Sequence, residues 1–333
     1  MTLFSYDILR VLATVAVVWL HVSMYAVLYN EPLSFAWWVG NVSDAAVRWC
    51  VPVFVLVSGG LLLGPRDESP LEFYRKRLKR LLVPLLFWSG LYLSLKFALH
   101  LTTRHDAALS LWHGRPHYHL WYLYMAFGLY LVTPVLRHFL AIASVTVRTW
   151  TTFVLLASSI AGMAIVYVRG WELPFFLLFL PYVGYYLLGY HLAQMPIRAS
   201  AGMLWALLIA GIVAAAWGAG LYGQYAYAYV GVPALMMSTA VYSLGLQLPV
   251  SPPPLPTPLA RGLALLSRAS LGIYLVHPLF LEALERIFGL EPWRRTPLIT
   301  IPAYTVLVCA ASAGIALVLL GLPYLRRTVG GST

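Results

Sequence analysis

The chain has 333 residues, of which 61% are hydrophobic and 10% charged, and its formal net charge is +11. Soluble domains average about 45–50% apolar and about 25% charged, so an ordinary soluble protein is excluded and a polytopic membrane protein remains. The lysines and arginines gather in short connections between apolar blocks, which is the positive-inside pattern of a membrane protein and not a nucleic-acid-binding surface.

A spanning helix needs about 20 mostly apolar residues. Ten such segments run near 5–28, 45–64, 82–101, 118–139, 149–168, 173–193, 202–222, 228–247, 262–283 and 298–321. The expected fold class is therefore all-α, with about ten transmembrane helices in a single domain over 1–333 and no soluble extracytoplasmic domain. The amino terminus lacks a basic n-region and a small-residue cleavage site, so the first helix is expected to stay as an anchor. Cys50 and Cys309 sit far apart in apolar blocks and form no CxxC motif, so they read as buried thiols.

The first element, "DILRVLATVAVVWLH", places Asp7, Arg10 and His21 inside a membrane helix. Eleven residues are close to three helical turns, so Arg10 and His21 share a face about 16 Å apart, with Asp7 one turn before Arg10. A charge at the bilayer centre costs at least about 2.5–3.5 kcal/mol. The stripe is therefore expected to line a protein-enclosed or watered passage. The plainer alternative is an interfacial Asp7–Arg10 ion pair with a packed core histidine at 21.

In "RWCVPVFVLVSGGLLLG", Ser58, Gly59 and Gly60 allow close helix approach, and packing is the favoured role. In "FYRKRLKRLLVP", Arg77 and Arg80 stand at i and i+3 and share a helix face at the cytoplasmic mouth of the third span. Planar guanidinium groups grip phosphate bidentately, although a basic loop that only sets topology would look much the same. That connection also holds Arg66, Arg75, Lys76 and Lys79, and the carboxyl-terminal tail adds Arg326 and Arg327. The opposite loops hold fewer basic residues, so both termini are expected to be cytoplasmic.

The segment "YHLWYLYMAFGLYLVTP" puts His119 beside Trp121 at the outer start of the fourth span. His113, His117 and His119 have no Cys or acidic partner at convincing spacing, so no metal site is expected and interfacial aromatic anchoring is favoured. The prolines of "SPPPLPTP", 251–258, favour an extended polyproline connector. In "SLGIYLVHPLFLEALE", His277 precedes Pro278, which frees a backbone carbonyl or kinks the helix, and Glu282 and Glu285 follow. A packed histidine at a proline kink is the alternative there.

Taken in order, "DILRVLATVAVVWLH", "VPVFVLVSGGLLL", "FYRKRLKRLLVPLLFW", "HLWYLYMAFGLYLVTPVL", "YVGYYLLGYHLA" and "SLGIYLVHPL" resemble the acyltransferase-3 family of integral membrane acyltransferases. Within it the chain is similar to the stand-alone O-acetyltransferase branch, which includes the enzyme that acetylates enterobacterial common antigen. The resemblance implies that His21 is the catalytic histidine, Arg10 its functional partner, and Arg77 and Arg80 the acyl-donor contacts. Asp7, Ser58, His119, Trp121, Tyr274, His277 and Glu282 are further candidates for substrate contact or support.

The resemblance also implies a cytoplasmic acyl donor, usually acetyl-CoA, and an acceptor hydroxyl on an extracytoplasmic glycan or lipid-linked sugar. It implies no permanently bound cofactor and a multi-pass place among the lipids of a bacterial inner membrane. The residues suit that chemistry, because an imidazole with a pKa near about 6.5 can take a proton from a sugar hydroxyl. General-base catalysis and an acyl-histidine intermediate both stay open. A transporter or flippase of a lipid-linked sugar remains the alternative, since proton-coupled carriers also hold intramembrane Arg, His and Asp.

Overall fold

The computed structural model describes residues 3–248 and 257–331. The described residues are helical without strands, and ten segments among them are long and apolar enough to cross a membrane. The helices are α1 (Leu3–Leu28), α2 (Phe35–Ala45), α3 (Cys50–Leu62), α4 (Pro70–Ala98), α5 (Arg104–Trp112), α6 (Trp121–Ile142) and α7 (Val145–Val168), followed by α8 (Val183–Gln194), α9 (Ala201–Tyr222), α10 (Val232–Leu246), α11 (Thr257–Phe288), α12 (Glu291–Arg295) and α13 (Pro297–Gly321). The proline-rich stretch read at 251–258 lies outside the described residues as far as residue 256.

Local chemistry sets the helix ends. Ser34, Ser69, Ser144 and Ser200 each accept a hydrogen bond from a backbone N–H in the first turn of the helix that follows, which replaces one of the donors a helix start leaves unpaired. At Ser69 the cap is reciprocal: Glu72 reaches back to the Ser69 N–H at 3.0 Å, and Pro70 occupies the first helical position. That box moves the start of the third span from the expected residue 82 to Pro70. The basic run 75–80 is therefore part of a helix of 29 residues, about 43 Å long and longer than the roughly 30 Å hydrocarbon core.

The second span also starts earlier than expected, at Phe35, and it is broken. Ala46–Trp49 form turns between α2 and α3. Pro52 explains the break, because it has no N–H for the carbonyl of Arg48 and its ring clashes with a continuous helix there. The string Gly218-Ala219-Gly220-Leu221-Tyr222-Gly223 matches G-x-G-x-x-G. It closes a membrane helix and follows no strand, so it lacks the context of a dinucleotide loop.

The chain divides into two compact units, the first holding residues 1–57 and 195–321 and the second 58–194 and 322–333. In the first unit α1 packs on α2, α10, α11 and α13. Val18, Val22 and Ala26 of α1 join Ala269, Leu281 and Trp293 in one buried cluster. Small residues set the close approaches, since a Cβ on Gly40 would fall 2.7 Å from the Ala26 Cβ.

In the second unit α4 packs on α6, and α7 on α8. The C-terminal turn is held to α4 by the Trp88 indole N–H, which donates to the Thr328 carbonyl at 2.9 Å. Gly59 lies against the α8 backbone so closely that a Cβ there would overlap the Tyr186 carbonyl oxygen. The packing role expected of the 58–60 stretch is thus visible at Gly59. Overpacking of this kind costs about 1–3 kcal/mol or more, so Gly59→Ala is expected to lower the melting temperature in detergent clearly. Gly64→Ala, which meets open space, is expected to leave it nearly unchanged. Equal melting temperatures for the two variants would refute the close contact.

Candidate active site

The stripe of ionisable groups on α1 is turned toward α11. Asp7 accepts a hydrogen bond from the Ser267 hydroxyl at 2.6 Å, and Arg10 Nη1 lies 3.5 Å from the same carboxylate oxygen. Two turns beyond Thr14, whose hydroxyl donates to the Arg10 carbonyl at 2.8 Å, the His21 ring stacks on His277 of α11 with centroids 5.1 Å apart. One turn further, the Tyr25 hydroxyl donates to Glu285 Oε2 at 2.8 Å, with the Glu282 charge nearby. The contacts 7–267, 21–277 and 25–285 climb both helices in the same sense, so α1 and α11 run parallel. Asp7 and Arg10 keep about a third of their side-chain surface exposed, and a pair so placed adds little stability.

His277 is fully buried, and its orientation follows from the residue after it. Pro278 has no N–H, so the carbonyl of Tyr274 loses its helical partner. His277 Nδ1 lies 2.7 Å from that carbonyl oxygen. A carbonyl only accepts, so Nδ1 carries a proton, and of the two neutral tautomers this selects the one whose Nε2 is an acceptor. The proline thus fixes the tautomer of the imidazole that stacks on His21. Tyr274 takes part through its backbone, and its own ring is buried 6.0 Å from His277.

The remaining candidates lie in the second unit. Arg77 and Arg80, about 60° apart on the helix, do not line the same cavity. Arg80 lines a cavity of about 390 Å³ with Arg75, Lys76, Lys79 and Arg327. Arg77 is half-buried, with its Nε lacking a partner among the described residues. Glu68, just before α4, lies 3.4 Å from both Lys76 and Arg137. Burial alone would raise the Glu68 pKa, but the hydrogen bonds from Lys76 and Arg137 outweigh it and hold the carboxyl below its ordinary value.

His119 is buried, with Nδ1 3.1 Å from His117 Nδ1, and Tyr92 stacks on His117 at 4.1 Å. It sits inside the helix packing and not at an exposed interface. Trp121 lies 5.9 Å from the Tyr182 ring, and Ser58 is half-buried next to Gly59. His113 pairs with Glu172 at 2.9 Å.

One polar cluster went unread in the sequence because Asn41 and Asp44 fell before residue 45, the expected start of the second span, which left Arg48 just inside it without a partner to be read with. Asp44 and Arg48 form an ion pair closed to solvent. Arg48 donates to Asp44 through both Nε and Nη2, the Nε contact being 2.8 Å, and Nη1 donates to the Tyr227 carbonyl at 3.2 Å. The Tyr227 ring lies under the guanidinium at 4.5 Å, and its hydroxyl donates to Asn41 at 2.6 Å. Asn41 in turn donates to the Ala216 carbonyl at 2.9 Å. The spacing of Asp44 and Arg48 at i and i+4 was the available signal.

Ten apolar helices with ionisable groups held inside them define a multi-pass membrane protein. The family model of the acyltransferase-3 domain matches residues 3–320, and the chain belongs to that family of membrane acyltransferases. No curated protein and no solved structure matches it.

If the Pro278–Tyr274–His277 arrangement orients the imidazole, Pro278→Ala returns the N–H to the helix and releases His277. Acyl transfer is then expected to fall about tenfold to a hundredfold, the usual effect of a small misplacement, although no titratable group has been removed and the helix is if anything more stable. An unchanged rate would show that the orientation of His277 is irrelevant.

Proposed function

We propose that the protein is an O-acetyltransferase of the stand-alone type, using cytosolic acetyl-CoA to acetylate a hydroxyl of an extracytoplasmic or lipid-linked glycan. Both termini are then cytoplasmic, and the protein resides in a bacterial inner membrane. The observation that carries the chemistry is the stacking of His21 on a buried histidine of fixed tautomer.

In this reading neutral His21 takes the proton of the acceptor hydroxyl as its oxygen attacks the thioester carbonyl. The new C–O bond forms, the C–S bond breaks, and coenzyme A leaves as a thiolate that regains a proton. A base so placed contributes about 10²–10⁴-fold. Buried His277 holds the His21 ring in place, and Arg10, itself steadied by Asp7, supplies positive charge on the same stripe. Arg77 and Arg80 are assigned to the donor's phosphates, because guanidinium matches phosphate geometry and no ion pair occupies either one among the described residues.

A carrier of lipid-linked sugars would account for intramembrane charge equally well, but it needs no thioester, and membership of an acyltransferase family favours the enzyme. His21→Ala, shown to insert normally, is expected to lose transfer from labelled acetyl-CoA by about 10²-fold or more, with a smaller loss for Arg10→Ala. Retained activity in the His21 variant would sink the mechanism. Replacing Arg77 and Arg80 together is expected to raise KM for the donor well above any change for the acceptor. A donor KM that does not move would leave them as topology signals.

A further inference from the structure

We infer that the C-terminal turn Arg326–Val329 builds one wall of a phosphate-binding cavity and that Arg327 grips the phosphate monoester of the acyl donor there. The inference rests on the donor reading above. The cavity, about 390 Å³, is lined by Arg75, Lys76, Lys79 and Arg80 of α4 and by Arg327 and Gly331 of the C-terminal segment, and no acidic side chain lines it. Its volume falls in the usual range for small-molecule sites, about 300–1,000 Å³.

Lys76 is partly committed to Glu68 at 3.4 Å. Arg75, Lys79, Arg80 and Arg327 form no ion pair among the described residues, and of these Arg75 alone has a nearby acid, Glu72, with which it interacts electrostatically. Like charges held this close repel, yet the fold brings Arg327 up to α4 by forces that are not electrostatic. The Trp88 indole holds the Thr328 carbonyl at 2.9 Å, and the Thr328 hydroxyl donates to the Leu325 carbonyl at 2.7 Å. The Gly331 N–H closes on the Arg326 carbonyl at 2.8 Å, through Gly330 in the left-handed region at φ 79°. Thr328 and Val329 are buried. A cation packed against cations is stabilised when a polyanion fills the space between them.

A phosphate monoester carries about −1.5 to −2 charge and three acceptor oxygens, the densest anion available on a nucleotide donor. Coenzyme A bears one on its ribose besides the diphosphate, for a total of about −4, opposite in sign to the basic lining of the cavity. An anionic lipid headgroup offers the same phosphate chemistry from another source.

The test uses the full-length protein in nanodiscs of zwitterionic lipid and measures binding of coenzyme A and 3′-dephospho-coenzyme A by calorimetry. The wild-type protein is expected to bind coenzyme A about tenfold or more tightly than the dephospho form. Arg327→Ala is expected to bind coenzyme A correspondingly weakly and no longer to separate the two ligands. Arg327→Lys, which keeps the charge and guards against a folding defect, is expected to retain part of the discrimination. Discs made with anionic lipid are expected to leave the wild-type preference in place. If they abolish it, the cavity belongs to headgroups and the inference falls. A discrimination that survives in Arg327→Ala overturns the inference while the donor reading stands. A wild-type protein that binds no coenzyme A overturns the donor reading, and the inference with it.

Discussion

Pro278 has no N–H to give, and inside a bilayer no water stands in for it. An unpaired carbonyl in hydrocarbon costs several kcal/mol, so the Tyr274 oxygen has to find another donor. The donor it finds is the imidazole of the adjacent residue, at 2.7 Å. That one substitution of side chain for backbone fixes which nitrogen of His277 is bare, keeps the ring inside the helix packing, and gives His21 a flat, oriented neighbour at 5.1 Å. The backbone requirement comes first, and the geometry of the candidate site follows from it.

The same requirement shapes a second place in the first unit. Pro52 leaves the Arg48 carbonyl without its helical donor, and the second span breaks into turns at Ala46–Trp49. A break in a membrane helix survives only where protein covers it. Here the cover is the Asp44–Arg48 pair, the Tyr227 ring beneath the guanidinium, and Asn41 tied to Ala216 of α9. Such a pair is weak evidence for stability by itself, because desolvation offsets much of the attraction. Arg48 hydrogen-bonds the Tyr227 carbonyl and Asn41 the Ala216 carbonyl of α9, and together they define how those elements meet α2. At one proline the fold orients an imidazole, and at the other it places a closed salt bridge.

Much of this was legible in the sequence and some was not, for physical reasons. Ten apolar blocks of spanning length announce themselves, because hydrocarbon admits little else. The spacing of Asp7, Arg10 and His21 predicts one face, and in the structure Asp7 and His21 both meet α11. The freed carbonyl at Pro278 was readable from the chemistry of proline, but its partner was not, since only coordinates show where the ring of His277 turns. Boundaries were the weak point. Ser69-Pro70-Leu71-Glu72 is a capping box that marks the true start of α4, yet a hydropathy reading passes over it because the charged turns that follow look like loop. Asp44 was missed for the same reason, since a hydropathy window assigns charge to the outside unless partners are known, and Arg48, inside the expected span, was left with no partner to pair with. The identity of the side chain beside Arg80 was not readable at all. Arg327 lies 247 positions away in the chain, and no local pattern connects the two.

Compensation of charge distinguishes the two kinds of site. Within the spanning segments of the first unit, Arg10 has Asp7 and Arg48 has Asp44, which offsets a cost of at least about 2.5–3.5 kcal/mol for a lone charge at the bilayer centre. On α4 the opposite holds. Arg75, Lys79 and Arg80 share a cavity with Arg327 and form no ion pair among the described residues. The reason cannot be a lack of acids, since Glu68 and Glu72 both lie at the start of the same helix, one spent on Lys76 and Arg137 and the other on the cap at Ser69. A chain that places acids this near and directs them elsewhere leaves its cations open to something that arrives from solution. A phosphorylated carrier, the acyl donor proposed above, is chemistry that those open cations fit.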